Sequence, residues 1–203
     1  MASVTDICNL ALAHLGDEAA VSSIYPPDGS VQASHCARFY PLARDTLLGH
    51  PSASWGFATK RAPLAVLDVD AAPWDYAYAL PGDLLRAVVL RDPGASDDYH
   101  PQPYVIGAGA DGQPVLLTRQ PDAVLAYIVR VEDPTLFSAL FTTTLSYLLA
   151  SHLAGPLLKG ETGRSVAKEM AGMAQHWLST AASADGNQGL ADHKHLPVWI
   201  QGR

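Results

Sequence analysis

The sequence predicts an α+β chain that is mainly α: a helical bundle with a small antiparallel β-rich insertion and an extended C-terminal tail. Three observations predict it. Apolar residues recur at helical spacing towards both ends, the middle breaks into short apolar runs punctuated by Pro and Gly, and beyond Asp185 the chain turns polar and Gly-rich. The division expected is residues 1–65 for the N-terminal helices, 66–132 for the β-rich insertion, 133–185 for the C-terminal helices and 186–203 for the tail.

The first helix opens on Ser3 and Asp6, which have the spacing of a capping box. Val4, Ile7, Cys8, Ala11 and Leu15 then follow a helical period, and Gly16 supplies the stop. A turn-rich link through Pro26, Pro27, Asp28 and Gly29 leads to a second helix opening at Ser30, with Ala33, Cys36, Ala37, Tyr40 and Leu47 on one face. Pro41 interrupts this helix and is expected to kink it, because its ring removes an amide donor. One further short helical turn is expected within Trp55 to Ala62.

The runs YAYAL (76–80), AVVL (87–90), YVI (104–106), PVLL (114–117) and VLAYIVRV (124–131) read as strands joined by turns. Helix resumes in the stretch from Pro134 to Leu158, which has no charged residue, and in the stretch from Glu161 to Ala184, with Val166, Met170, Met173 and Trp177 as its apolar stripe.

The composition narrows the function. With 203 residues and 48% hydrophobic content the chain can bury a sizeable core. Its net charge of -7 and its scattered Lys and Arg argue against tight binding to a phosphate backbone, which needs clustered cations. No Lys or Arg precedes Arg38, so a secretory signal is not expected, and the chain is expected to be made and kept in the cytoplasm. Cys8 and Cys36 fall on apolar helix positions and read as two reduced core thiols.

Chemical motifs are few. Gly107, Gly109 and Gly112 have dinucleotide-fingerprint spacing, and Glu132 stands about twenty residues further on, where a ribose-binding acid would be sought. A fingerprint, however, needs a helix behind its glycines, and the β-prone VLLT follows instead; Asp111-Gly112 between two strand-like runs is a hairpin signal. The alternative function, a small nucleotide-binding enzyme, rests on these glycines alone. His193 and His195 would share a face if extended, but two imidazoles do not close a metal site, so no metal and no cofactor are expected. No hydrolase, metalloprotease or phosphate-loop motif is present, and no catalytic residue is expected.

The uncharged stretch is long enough to cross a membrane, at roughly 20 residues, yet Thr142, Thr143, Thr144, Ser146, Ser151 and His152 dilute it. Its apolar residues, among them Phe137, Phe141, Leu145, Leu149 and Leu153, spread over more than half the helix circumference. Burial on more than one side follows, either against another subunit, which makes those five residues interface candidates, or inside the chain's own bundle. In the tail, Leu196, Pro197, Val198, Trp199 and Ile200 form an apolar cluster suited to docking in a partner's groove or folding back on its own domain.

Several of these passages resemble one known family, the tail tubular protein A or head-to-tail adaptor proteins of short-tailed bacteriophages. TDICNLALAHLGD (5–17) is similar to the family's first helix, and Asp28, Ser30, Ala33, Cys36 and Tyr40 are similar to its second. ARDTLL (43–48), HPSASWGFATKRAPLA (50–65) and WDYAYALPGDLLR (74–86) look like the passages that follow, with an extra Ser-Ala-Ser spacer ahead of Trp55. The resemblance covers the first 90 residues and, by pattern, the helices after Phe137; residues 91–123 and the tail beyond Asp185 carry no matching motif. It implies a non-enzymatic virion protein at the head-tail junction, a ring of twelve copies between portal protein and tail nozzle protein. The ring would leave a lumen through which DNA passes without specific binding, and no membrane is involved. It also implies that the tail residues Leu196 to Ile200 bind the portal. Another phage connector or tail-completion protein is the alternative within the same class.

Overall fold

The computed structural model describes residues 2–69, 71–94, 101–109 and 112–186, and the fold is mixed α+β. Helix α1 spans Val4–His14. Ser3 Oγ accepts from the amide of Asp6 at 3.1 Å and the Asp6 carboxylate accepts from the amide of Ser3 at 2.8 Å, which closes the capping box. Helix α2 spans Val31–Leu48, and Ser30 Oγ accepts from the amide of Ala33 at its start. Pro41 lies within α2 without ending it, and both Tyr40 and Ala43 beside it are buried.

The expected helical turn is present as a 3-10 turn, Gly56–Ala58, but the chain then enters a strand, β1, Thr59–Pro63. The β region therefore begins ahead of residue 66. Lys60, Arg61 and Pro63 gave this strand no β-like signature, and pairing with its neighbour is what makes it extended. Strands β2 (Val66–Leu67), β3 (Tyr76–Ala79), β4 (Leu84–Arg91), β5 (Tyr104–Ala108), β6 (Pro114–Thr118) and β7 (Val124–Val129) follow. They form two antiparallel sheets, one ordered β1-β7-β4 and the other β2-β3-β6-β5. Gln102 donates its amide to Leu90 at 2.8 Å between the two sheets, and Leu64 donates to Ala123 at 3.0 Å, one step beyond the β1-β7 pairing.

Helix α3, Ala139–Leu158, is capped by Ser138 and packs against α1, α2 and the last helix, α4, Gly160–Gly186. Its broad apolar surface is thereby consumed within the chain: Phe141, Leu145, Leu149 and Leu153 are completely buried, and Phe137 packs partly buried against the same core. Of the two readings, burial inside the chain's own helices accounts for Phe141, Leu145, Leu149 and Leu153, which keep no surface for a neighbouring subunit, whereas Phe137 stays partly exposed. Trp55 sits edge-on to Phe141 at 4.9 Å and 87°, with Phe57 and Phe137 also against Phe141.

The buried apolar side chains of α4 are Met170, Ala174, Leu178 and Ala181, whereas Met173 is exposed. The buried face is rotated by one position from the expected stripe of Val166, Met170, Met173 and Trp177. Small Ala174 and Ala181 let α4 lie close to its neighbours, and the bulkier Met173 and Trp177 stand at the flank. The expected extended tail lies outside the described residues.

Candidate assembly surface

The residues that carry the family resemblance are occupied with structure. Asp28 accepts four hydrogen bonds: from the amide and hydroxyl of Ser22 at 2.8 and 3.1 Å, and from the amide and hydroxyl of Ser30 at 2.9 and 2.7 Å. These donors, the Ser30 hydroxyl foremost, hold its carboxyl well below the usual carboxylate range. Asp28 thus fixes the loop ahead of α2 while Ser30 caps it, which is what an Asp-x-Ser spacing achieves before a helix. Cys36 and Tyr40 follow in the core, together with Cys8. Trp55 is buried and donates Nε1–H to the carbonyl of Leu47 at 2.9 Å.

The charged residues likewise staple elements to one another. Asp45 takes Nε of Arg44 and Nε of Arg130, each at 2.9 Å. Glu132, the acid at ribose-binding distance in sequence, instead stands 3.6 Å from the Arg44 guanidinium. Lys60 meets Asp83 at 2.7 Å, and Tyr127 donates its hydroxyl to the same carboxylate at 3.0 Å. The Lys60 hydrogen bond pulls the Asp83 carboxyl down, and that carboxylate raises the Lys60 ammonium in turn.

The three glycines belong to a hairpin. β5 and β6 pair antiparallel, Gly109 donates to Gln113 at 2.8 Å, and Gly112 donates back to Gly109 at 2.9 Å. Gly112 has φ +74, and a Cβ on Gly109 would meet Val115 Cγ1 at 3.1 Å, so turn conformation and close approach explain both. A strand follows the third glycine where a dinucleotide site needs a helix N-terminus.

A cleft of about 300 Å³ opens between the ends of α1 and α3, lined by Leu15, Asp17, Glu18, Gln32, Leu157 and Leu158. Gln32 donates to Asp17 across it at 3.1 Å. Among the described residues no group of three or more His, Cys, Asp or Glu is placed to hold a metal ion. No described helix is long and apolar enough to cross a membrane. His193, His195 and the tail cluster Leu196, Pro197, Val198, Trp199 and Ile200 lie outside the described residues.

With the helical core consumed internally, the large apolar side chains left at the surface define what the chain can offer a partner. Val66, Val105 and Ile106 belong to the two outer edges of the four-stranded sheet, Val69 follows β2, and Leu10, Leu42, Val31 and Tyr25 lie on the α1 and α2 side. Sequence reading missed the sheet-edge group. Its signal was the charge-free YVIGA of β5, which is apolar without alternating, as suits a strand covered on both faces. Comparison with family models gives no match, and comparison with curated proteins gives none either.

Proposed function

We propose that this chain is a head-to-tail adaptor of a short-tailed bacteriophage, a virion structural protein and not an enzyme. Copies of it, twelve in the family it resembles, form a ring between portal and tail nozzle around a channel for DNA. The observation that carries the reading is the work done by the resembling residues. Asp28, Ser30, Cys36, Tyr40 and Trp55 build and cap the helical unit: Asp28 and Ser30 fix the start of α2, and Cys36, Tyr40 and Trp55 fill the core beneath it.

In this reading α1 to α4 serve as the bundle that forms the body of the ring, and the two sheets are the insertion that faces the tail. Residues 186–203 are an arm whose Leu196, Pro197, Val198, Trp199 and Ile200 dock on the portal. The net charge of -7 suits a lumen that must not retain phosphates. Deleting residues 186–203 tests the arm: the shortened protein is expected to keep its thermal unfolding transition and to lose portal attachment. Attachment equal to that of the full chain would contradict the assignment.

A further inference from the structure

The sheet β2-β3-β6-β5 carries a row of side chains whose two ends are uncovered. Val66 is opposite Tyr78, Tyr78 is opposite Leu116, and Leu116 is opposite Ile106. Directly opposed residues of antiparallel strands lie on one face, so these four make a single row across the sheet. Its middle is closed, with Tyr78 2% and Leu116 0% exposed, while its ends, Val66 and Ile106, are 65% and 44% exposed. On the other face the adjacent row runs Leu67, Ala77, Leu117 and Val105, and Val105 is 46% exposed.

The backbone at these ends is also open from Tyr104 onwards; just ahead of β5 the same edge meets β4, where Gln102 donates its amide to Leu90. Gly109 is hydrogen-bonded to Gln113, so by the alternation of antiparallel ladders Gly107 and Val105 turn towards β6, and Tyr104, Ile106 and Ala108 turn outward. Ala79 donates to Ala65, so Leu67 turns towards β3 and Val66 turns outward. Among the described residues no hydrogen bond reaches those outward groups.

We propose that a second copy of the chain lays its β2 along the outer edge of β5, joining the sheets head to tail. The inference rests on the ring reading given above. Four antiparallel strands leave edges that run in opposite directions, so a copy in the same orientation continues the antiparallel order without inversion. In the unshifted register the outward backbone of Val66 faces that of Ile106, and the two side chains become a cross-strand pair. Leu67 is then opposite Val105 on the other face, so both exposed apolar ends are covered. The outer edge of β1, by contrast, carries Lys60, Arg61 and Pro63, residues that deter strand addition. Because the two joined edges differ, the contact is heterologous and propagates from copy to copy until the rotation closes a ring.

The test is the double variant Val66→Cys with Ile106→Cys, assembled on portal rings and oxidised with glutathione disulfide, which takes up the two hydrogens as reduced glutathione. Within one chain these positions are three strand spacings apart, roughly 14 Å, beyond the roughly 7 Å that a disulfide tolerates between Cα atoms. In the proposed pairing they are about 5.5 Å apart. Cys8 and Cys36 are fully buried, so the added thiols are the accessible ones. The expected result is a covalent ladder running past the dimer on a reducing-agent-free denaturing gel. The control pair Val31→Cys with Ile106→Cys is expected to remain monomeric, Val31 being equally exposed but on α2. Rings visible by electron microscopy without a ladder above that control would overturn the pairing and leave the adaptor reading standing. Neither rings nor a ladder would overturn both.

Discussion

Asp45 and Arg130 are joined at 2.9 Å, carboxylate oxygen to guanidinium Nε, and the other oxygen of Asp45 holds Nε of Arg44 at the same distance. One carboxylate thereby locks α2 to the chain leaving β7, where the helical part and the three-stranded sheet meet. Arg44 is buried, and its remaining partner, Glu132, is exposed and 3.6 Å away. Asp45→Ala therefore strands a buried guanidinium and is expected to cost about 2 to 4 kcal/mol in urea unfolding. Arg130→Ala removes the more exposed partner and is expected to cost about 0 to 1 kcal/mol. Equal losses for the two variants would show that Arg44 is not the residue at stake.

Trp55 makes two separable contributions. Trp55→Phe keeps most of the packing on Phe141 and removes the donor to the Leu47 carbonyl, an expected loss of about 1 to 3 kcal/mol. Trp55→Ala also opens a cavity in the core and is expected to cost about 3 to 5 kcal/mol. Urea midpoints of the two variants measure the difference, and coincident midpoints would remove the packing term.

Acid is expected to destabilise the fold well before its carboxylates titrate. Burial lowers the affinity of His14 and His152 for a proton below the ordinary value of 6.5. His14 stacks on Tyr147 at 4.0 Å with Nε2 3.1 Å from Ser146 Oγ, and His152 stacks on Phe39 at 5.9 Å. Below pH 6.5 the unfolded chain binds more protons than the folded one, so stability falls as pH drops through 6.5 towards the folded-state values. Thermal midpoints at neutral and mildly acid pH should show this decline, and His14→Gln with His152→Gln should flatten it. An unchanged slope in the double variant would refute the assignment.

Lys159, between α3 and α4, has φ 57 and ψ 170, a conformation that side chains disfavour. Lys159→Gly is expected to stabilise the protein by about 1 kcal/mol, while Lys159→Ala, which also removes the charge, is expected to give no gain. Matching midpoints for the two variants would assign any change to charge instead of backbone.

The helices were legible because their signals are local. Ser3, Ser30 and a regular apolar spacing state where α1 and α2 begin and which side is buried. The β5-β6 hairpin was legible for the same reason, through its turn glycine. β1 was not, because Lys60, Arg61 and Pro63 become a strand only by pairing with β7, a partner more than sixty residues away in sequence. The apolar breadth of α3 announced heavy burial without naming what covers it. The structure assigns that cover to α1, α2 and α4, and leaves large apolar side chains exposed at the edges of the four-stranded sheet as well as on the α1 and α2 side. Those edges depend on strand order, which no short stretch of sequence carries.

The adaptor reading is tested most directly by sedimenting the purified chain with portal rings from the same genome and averaging electron micrographs of the pellet. The account predicts a ring of copies stacked coaxially on the portal, with an open channel. A folded chain that stays in the supernatant while the portal sediments would contradict it.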